Sequence, residues 1–215
     1  MISHIGPFFF VNRVLPLLKN ALKGKDADVR IVNISSIAHI SMLPRNFEFP
    51  FTSPTYFSNP VSSYPWQWRF FGRFLFGFDM IRYAVSKAAV VLFTKELQRR
   101  LDDQGLPILC VAVHPGEVLT EGLLAINNVV IRAIARLPFI TAEKGAATPL
   151  FVATASEVRQ KADAYKGKFV VPIGKVEAPN AVAEDELQVK GLWENTTLEL
   201  NKRLAAQKLP PLEAW

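Results

Sequence analysis

An α/β fold built on a parallel sheet is what this sequence predicts, and three observations predict it. Short runs rich in β-branched residues, at 28–34, 106–113 and 168–172, alternate with longer stretches whose apolar residues recur at three- and four-residue steps. Strands alternating with helices form parallel βαβ units. Ser35-Ser36 and His114-Pro115-Gly116 follow directly on the first two strands, at the carboxyl ends where open α/β sheets gather ligands. At 215 residues, half of them hydrophobic and a fifth charged, the chain is long enough for one domain with its own core.

The first helix, over 3–20, rests on Phe8, Val11, Leu15 and Leu18. Pro7 is tolerable in a first turn, Pro16 is expected to kink or end the helix, and Gly24 supplies a stop. Asp28–Ile34 is the first strand. Ser35 and Ser36 behind it are either turn and cap residues or hydroxyls that hydrogen bond a substrate. From 41 to 80 the chain reads as an insertion: Pro44, Pro50, Pro54, Pro60 and Pro65 break up regular structure. Next, Trp66, Phe70, Phe74 and Phe78 fall on one helical line, with Arg69 and Arg73 on an adjacent one. Three readings of that line stand side by side: a helix lying in a membrane interface, an apolar lid over a substrate pocket, or a surface insertion packing its own cluster.

The stretch from Tyr83 to Leu101 is helical and ends near Gly105. Tyr83 and Lys87, four residues apart, share one face, while Val85, Ala88, Ala89 and Leu92 cluster on the opposite side and should face the core. An ammonium beside a phenol favours the phenolate and lowers a pKa that starts near ~10, which makes a general acid/base. The same spacing also suits a solvated helix face. Leu106–Val113 is a second, buried-type strand, and His114 after it is either a base or a structural residue of the Pro-Gly turn. Residues 122–137 are apolar and helical, and Pro138 ends them. Thr141 caps a helix over 142–155 that Pro149 is expected to interrupt. Lys168–Pro172 is a third short strand, and a last helix runs from Glu184 to Ala206 with Val189, Trp193, Leu200 and Leu204 at core spacing.

Composition excludes several classes. No run of about eighteen apolar residues marks a transmembrane helix. The apolar Phe8–Val11 run is followed at once by Asn12 and Arg13, unlike a signal peptide. The single cysteine, Cys110, permits no internal disulfide, suits a reducing compartment and reads as a small core residue. The net charge of +6 is scattered, with no basic run of the kind that binds nucleic acid. No metal site is expected. A cytoplasmic location follows, with peripheral membrane contact through 66–82 as an added expectation.

Taken together, Asn33-Ile34-Ser35-Ser36 at a strand end, Tyr83-x-x-x-Lys87, and His114-Pro-Gly-Glu-Val-Leu-Thr120 at the next strand end resemble the C-terminal half of a short-chain dehydrogenase/reductase. The retinol-dehydrogenase-like members and their fungal relatives are the most similar. His4-Ile-Gly-Pro-Phe8, Thr141-Ala-Glu-Lys-Gly-Ala146 and Gly167-Lys-Phe-Val-Val-Pro-Ile-Gly174 extend the resemblance over most of the chain outside 41–80. It implies a single partial Rossmann-like domain over 1–215: an incomplete doubly wound parallel sheet with flanking helices and the aromatic, proline-rich insertion. The activity implied is hydride transfer between a nicotinamide and a small carbonyl or alcohol, with an apolar substrate suggested. By the same resemblance, Tyr83 is the proton donor or acceptor and Lys87 lowers its pKa and binds the nicotinamide ribose. Ser36 hydrogen bonds the substrate oxygen, with Ser35 in reserve. Pro115, Gly116 and Val118 shape the nicotinamide pocket, and Thr120 hydrogen bonds the cofactor. NAD or NADP is implied, NADP being preferred, and so is a homodimer through 3–20 and 83–104.

The sequence departs from the family's pattern. It contains no Gly-x-x-x-Gly-x-Gly phosphate loop, no residue that selects between the two cofactors and no Asn-Asn-Ala-Gly strand. An asparagine usual in the family's fourth helix aligns with Ser3, and the gap from Ser36 to Tyr83 is unusually long. Only the equivalents of strands 5, 6 and 7 in the family order 3-2-1-4-5-6-7 remain. The strand at 28–34 is therefore expected at an exposed, hydrophobic edge, and the chain is read as truncated. The leading function is a nicotinamide-dependent oxidoreductase. The alternative is a catalytically inactive remnant that serves as an interaction module.

Overall fold

The computed structural model describes residues 2–44, 47–61, 70, 78–118 and 140–215. The helix expected over 122–137, Thr120, and the aromatic line from 66 to 78 apart from Phe70 and Phe78 lie outside them. The described chain is a mixed α/β structure. It runs α1 (Ile2–Ala21), β1 (Arg30–Ile34), α2 (Ala38–Ser41), α3 (Met80–Asp103), β2 (Leu109–Val113), α4 (Ala142–Thr154), α5 (Ser156–Gln160), α6 (Ala162–Tyr165), β3 (Phe169–Val171), β4 (Lys175–Glu177) and α7 (Glu186–Ala206). Short 3-10 helices occupy Pro54–Phe57 and Ala181–Glu184.

The sheet has the order β1-β2-β3-β4. β1 runs parallel to β2 from Arg30↔Leu109 to Ile34↔Val113, and β2 runs parallel to β3 at Ala112↔Phe169 and Val113↔Val170. β4, not anticipated from sequence, folds back antiparallel on β3. Gly174, at φ 74, turns that hairpin in the left-handed region that glycine favours. Among the described residues, β1 stands at one edge of the sheet.

β2 is buried on both faces, which is why it reads as a continuous apolar run. Leu109, Val111 and Val113 meet Val152, Val158 and Tyr165 from α4 to α6. Cys110 and Ala112 face the layer of α1, α3 and α7. In α3 the expected stripe Val85, Ala88, Ala89 and Leu92 is buried. The helix begins three residues before Tyr83, because the Asp79 side chain accepts a capping bond from Arg82 N at 3.0 Å. Pro16 and Pro149 neither end nor interrupt their helices. Leu15 and Val152 anchor those helices in the core, and this packing outweighs a propensity penalty of about 3 kcal/mol.

Part of the proline-rich stretch is core rather than surface. Phe51, Tyr56 and Val61 are buried in the cluster shared by α3 and α7. The Phe51 backbone is held from both sides: its N–H donates to Gln188 Oε1 and its C=O accepts from Asn195 Nδ2, each at 3.0 Å. Gly191 of α7 lets that segment in, since a Cβ there would stand 2.8 Å from Thr52 Cα.

A second cluster ties both ends of the chain to α3. Phe8 packs against Phe93, Trp193 and Trp215 at ring separations of 5.3, 4.9 and 4.8 Å. Asn12 Nδ2 donates to Glu213 O and Glu213 N donates to Asn12 Oδ1, both at 2.9 Å. Next to it Glu96, fully buried, accepts from Arg99 and Arg100 at 2.7 Å, and Arg100 stacks 4.4 Å over Trp193. Among the described residues, no helix is long and apolar enough to cross a membrane.

His4 sits at the edge of this aromatic cluster, its Nε2 2.9 Å from Thr196 Oγ1. Thr196 already donates to Leu192 O, so its oxygen accepts from a protonated Nε2. Burial lowers the His4 pKa from 6.5 to about 3. A buried neutral imidazole opposes folding once protonation favours the unfolded chain. The stability it protects is therefore full above about pH 6.5 and is lost as pH falls from there towards about 3. His39 and His114, also lowered by burial, add the same sign. The expected result is a denaturation midpoint that drops on moving from about pH 7 to about pH 5, with a smaller drop in His4→Gln. An equal drop in both would show that His4 is not the sensor.

Candidate active site

The site forms where β1 and β2 end and α3 begins. The two serines after β1 separate into different jobs. Ser35 is a clamp: its N–H donates to Val113 O at 2.7 Å and its hydroxyl donates to Lys87 O at 2.8 Å, locking α3 to the sheet. Ser36, whose Oγ accepts from Ala38 N at the start of α2, lies near enough to the Tyr83 phenol to favour its ionised form. Phe78 presents its ring edge to Tyr83 at 5.6 Å. Lys87 places Nζ over the Tyr83 ring, 5.6 Å from its centre, and donates to Ile34 O at 3.0 Å. Ser36, Tyr83 and Lys87 therefore converge, although 47 positions of chain separate the first two.

The electrostatics differ from the sequence expectation. Burial raises the Tyr83 pKa above 10, the Ser36 hydrogen bond partly offsets this, and the Glu117 charge raises it further. Lys87 was expected to lower it. Its ammonium lies over the ring face and is spent in part on Ile34 O, and burial lowers its own pKa. Desolvation of the phenol outweighs the cation in this geometry.

The turn after β2 closes the site. His114 N donates to Val170 O, which fixes Pro115-Gly116 at the sheet end. Gly116 has φ 97, and a Cβ there would lie 2.8 Å from Ile140 Cδ1. Val118 pairs with Ile140 in an isolated parallel bridge and packs on Gly145, where a Cβ would fall inside the Val118 side chain. Pro115, Gly116 and Val118 thus flank Glu117, whose charge acts on Tyr83, while Thr120 is outside the described residues.

Three neighbours add charge or hydrogen-bonding capacity, and sequence reasoning left two of them, Glu117 and His39, without a role. Glu117, inside the quoted turn, has its pKa raised by burial and stands 3.8 Å from His114 Nε2. His114 is buried, with Nδ1 unpartnered among the described residues. His39 is buried against Phe169 and bonds Ser36 O through Nδ1, with Nε2 unpartnered among the described residues. The only signal for Glu117 was its place beside the Pro-Gly turn. His39 had none, because a helix of four residues shows no periodicity.

No family model matches the chain. Among curated proteins it is 33% identical over 208 residues to a short chain dehydrogenase/reductase of Colletotrichum higginsianum, taking in 97% of this chain and 50% of that protein. It is 32% identical over 207 residues to a short-chain dehydrogenase/reductase of Armillaria gallica, with 94% and 60% covered. Human retinol dehydrogenase 13 is 31% identical over 199 residues, with 89% and 50% covered. The chain spans about half the length of the curated relatives it matches. Among solved structures, an uncharacterised protein of Mycobacterium paratuberculosis matches with a TM-score of 0.54 at 24% identity, over 91% of this chain and 56% of that one. That likeness supports the fold.

Proposed function

Because the chain belongs to the short-chain dehydrogenase/reductase family, we propose that it carries the acid/base half of a nicotinamide-dependent oxidoreductase acting on an apolar carbonyl or alcohol. The observation that carries this reading is the convergence of Ser36, Tyr83 and Lys87 at the carboxyl ends of β1 and β2.

A bound nicotinamide cofactor, NADP or NAD, supplies the hydride in this reading. The residues present fit its ribose and nicotinamide end. Lys87 keeps ammonium hydrogens beyond the one given to Ile34 O, and Pro115–Val118 offer a backbone wall held by Ile140 and Gly145. These 215 residues contain no Gly-x-x-x-Gly-x-Gly for the phosphate end.

Tyr83 holds the proton. A phenol raised above its ordinary value is protonated through neutral pH and serves as the general acid of carbonyl reduction. Ser36 orients the phenol and donates to the same carbonyl oxygen once a substrate displaces its present contact. Lys87 supplies positive charge that stabilises the phenolate left behind. Phe78 and the apolar wall exclude water and favour an apolar substrate. Peripheral membrane contact through 66–82 remains part of the reading for such a substrate.

Titrating the purified chain with NADPH and with NADH, followed by quenching of its tryptophan fluorescence, tests the proposal. Saturable binding that weakens in Lys87→Ala is the expected result. Absence of binding by either dinucleotide would overturn the reading for this chain.

A further inference from the structure

His39 closes one turn of backbone behind Ser36. Its ring Nδ1 meets Ser36 O, which also accepts from His39 N at 3.3 Å. A carbonyl can only accept, so Nδ1 carries the hydrogen and Nε2 is left as a bare lone pair. That nitrogen is buried and unpartnered among the described residues. A buried acceptor without a donor is less favourable than an apolar side chain of similar size in the same place. What an apolar side chain could not supply is the bond to Ser36 O.

The turn is weakly held otherwise. α2 is four residues long, too short to be stable on its own account, and Ile37 before it gives no side-chain cap. Ser36 Oγ accepts from Ala38 N at 3.3 Å, beyond the usual range of an N–H···O bond. His39, by contrast, is fixed from several sides. Its ring stands edge-on to Phe169 of β3 at 4.7 Å, its backbone C=O accepts from Asn180 Nδ2 at 2.9 Å, and Ala38 beside it lies in the core shared with α3. Its titratable neighbour is His114 at the end of β2, and burial lowers the pKa of both rings, which keeps them neutral at about pH 7.

We propose that His39 is a positioning residue for the site: through Nδ1 it holds the Ser36 carbonyl and thereby sets the direction in which the Ser36 hydroxyl meets the Tyr83 phenol. On the other side of Ser36 the chain is already fixed, because Ser35 N donates to Val113 O and Ser35 Oγ to Lys87 O. Ser36 is the first residue after β1 that is free to turn. The bond to its carbonyl removes the remaining backbone rotation, so with both of its peptide groups held its Cα–Cβ bond points one way. This role rests on the proposed part of Ser36 and Tyr83 in catalysis, but the bonds that define it form without a dinucleotide.

Heteronuclear NMR of the histidine ring nitrogens and of tyrosine Cζ in the purified chain tests it. At about pH 7 the His39 ring, assigned by its loss in His39→Asn, is expected as the neutral Nδ1–H tautomer. An imidazolium or an Nε2–H tautomer would overturn the proposal. The Tyr83 signal, assigned by its loss in Tyr83→Phe, reports on Ser36, because the Ser36 hydroxyl favours the phenolate. His39→Leu is expected to move the Tyr83 ionisation midpoint upward to where Ser36→Ala moves it, and the double variant to move it no further. His39→Asn, with an amide N–H in the place of Nδ1, is expected to keep the wild-type midpoint. Equal midpoints in wild type and His39→Leu, additive shifts, or a His39→Asn that behaves like His39→Leu would each overturn it as well. If His39→Leu does not fold, the tautomer and His39→Asn decide. A failed NADPH titration would remove the reading of the site as an oxidoreductase and leave these outcomes unchanged.

Discussion

On the proposed reading, Tyr83→Phe is expected to lower the turnover number for carbonyl reduction about 10²–10⁴-fold, with KM little changed. The substitution keeps the ring that packs on Phe78 and the helix that Asp79 caps, and removes the proton that Ser36 orients. Following NADPH oxidation at 340 nm with an apolar aldehyde measures it. In the wild-type chain the reductive rate should hold through neutral pH and decline only above the ordinary tyrosine value of about 10, because burial and the Glu117 charge both favour the protonated phenol. Equal turnover in wild type and Tyr83→Phe would exclude the phenol as the acid.

Phe8→Ala destabilises the chain by about 3–5 kcal/mol. Phe8 has no exposed surface and touches Phe93, Trp193 and Trp215, so it joins α1, α3, α7 and the C-terminal segment. Truncation leaves a cavity lined by large rings that cannot collapse into it. Urea denaturation followed by tryptophan fluorescence reads the change, since Trp193 and Trp215 lie in the cluster. A loss below about 1 kcal/mol, the range of tolerated core swaps, would mean that the rings repack.

Much of this arrangement was legible because it is periodic or terminal to something periodic. The α3 stripe, the α7 residues Val189, Trp193, Leu200 and Leu204, and the two-faced burial of β2 follow from spacing alone. Ser36 and Tyr83 were paired through a resemblance, since nothing local in the chain says that residues so far apart will meet. β4 and the helices α5 and α6 were not anticipated because three to five residues carry no period. Phe51 and Tyr56 were hidden by the prolines around them, which announce irregular backbone and say nothing about burial. The sign of the Tyr83 shift was missed for a related reason. A four-residue spacing reveals which cation is near, whereas desolvation depends on Phe78, Glu117 and the sheet end, which come from other parts of the chain.

The contact between α1 and the C-terminal segment joins residues 201 positions apart. On the ribosome the first helix emerges long before Trp193 and Trp215 exist to cover Phe8. Closing so long a loop adds little entropy beyond that of a shorter one, but it cannot begin until Trp215 has been made. Between the synthesis of α1 and that of the C-terminal segment a nascent chain therefore carries an apolar helix uncovered, the state in which chaperones engage their clients and aggregation competes with folding.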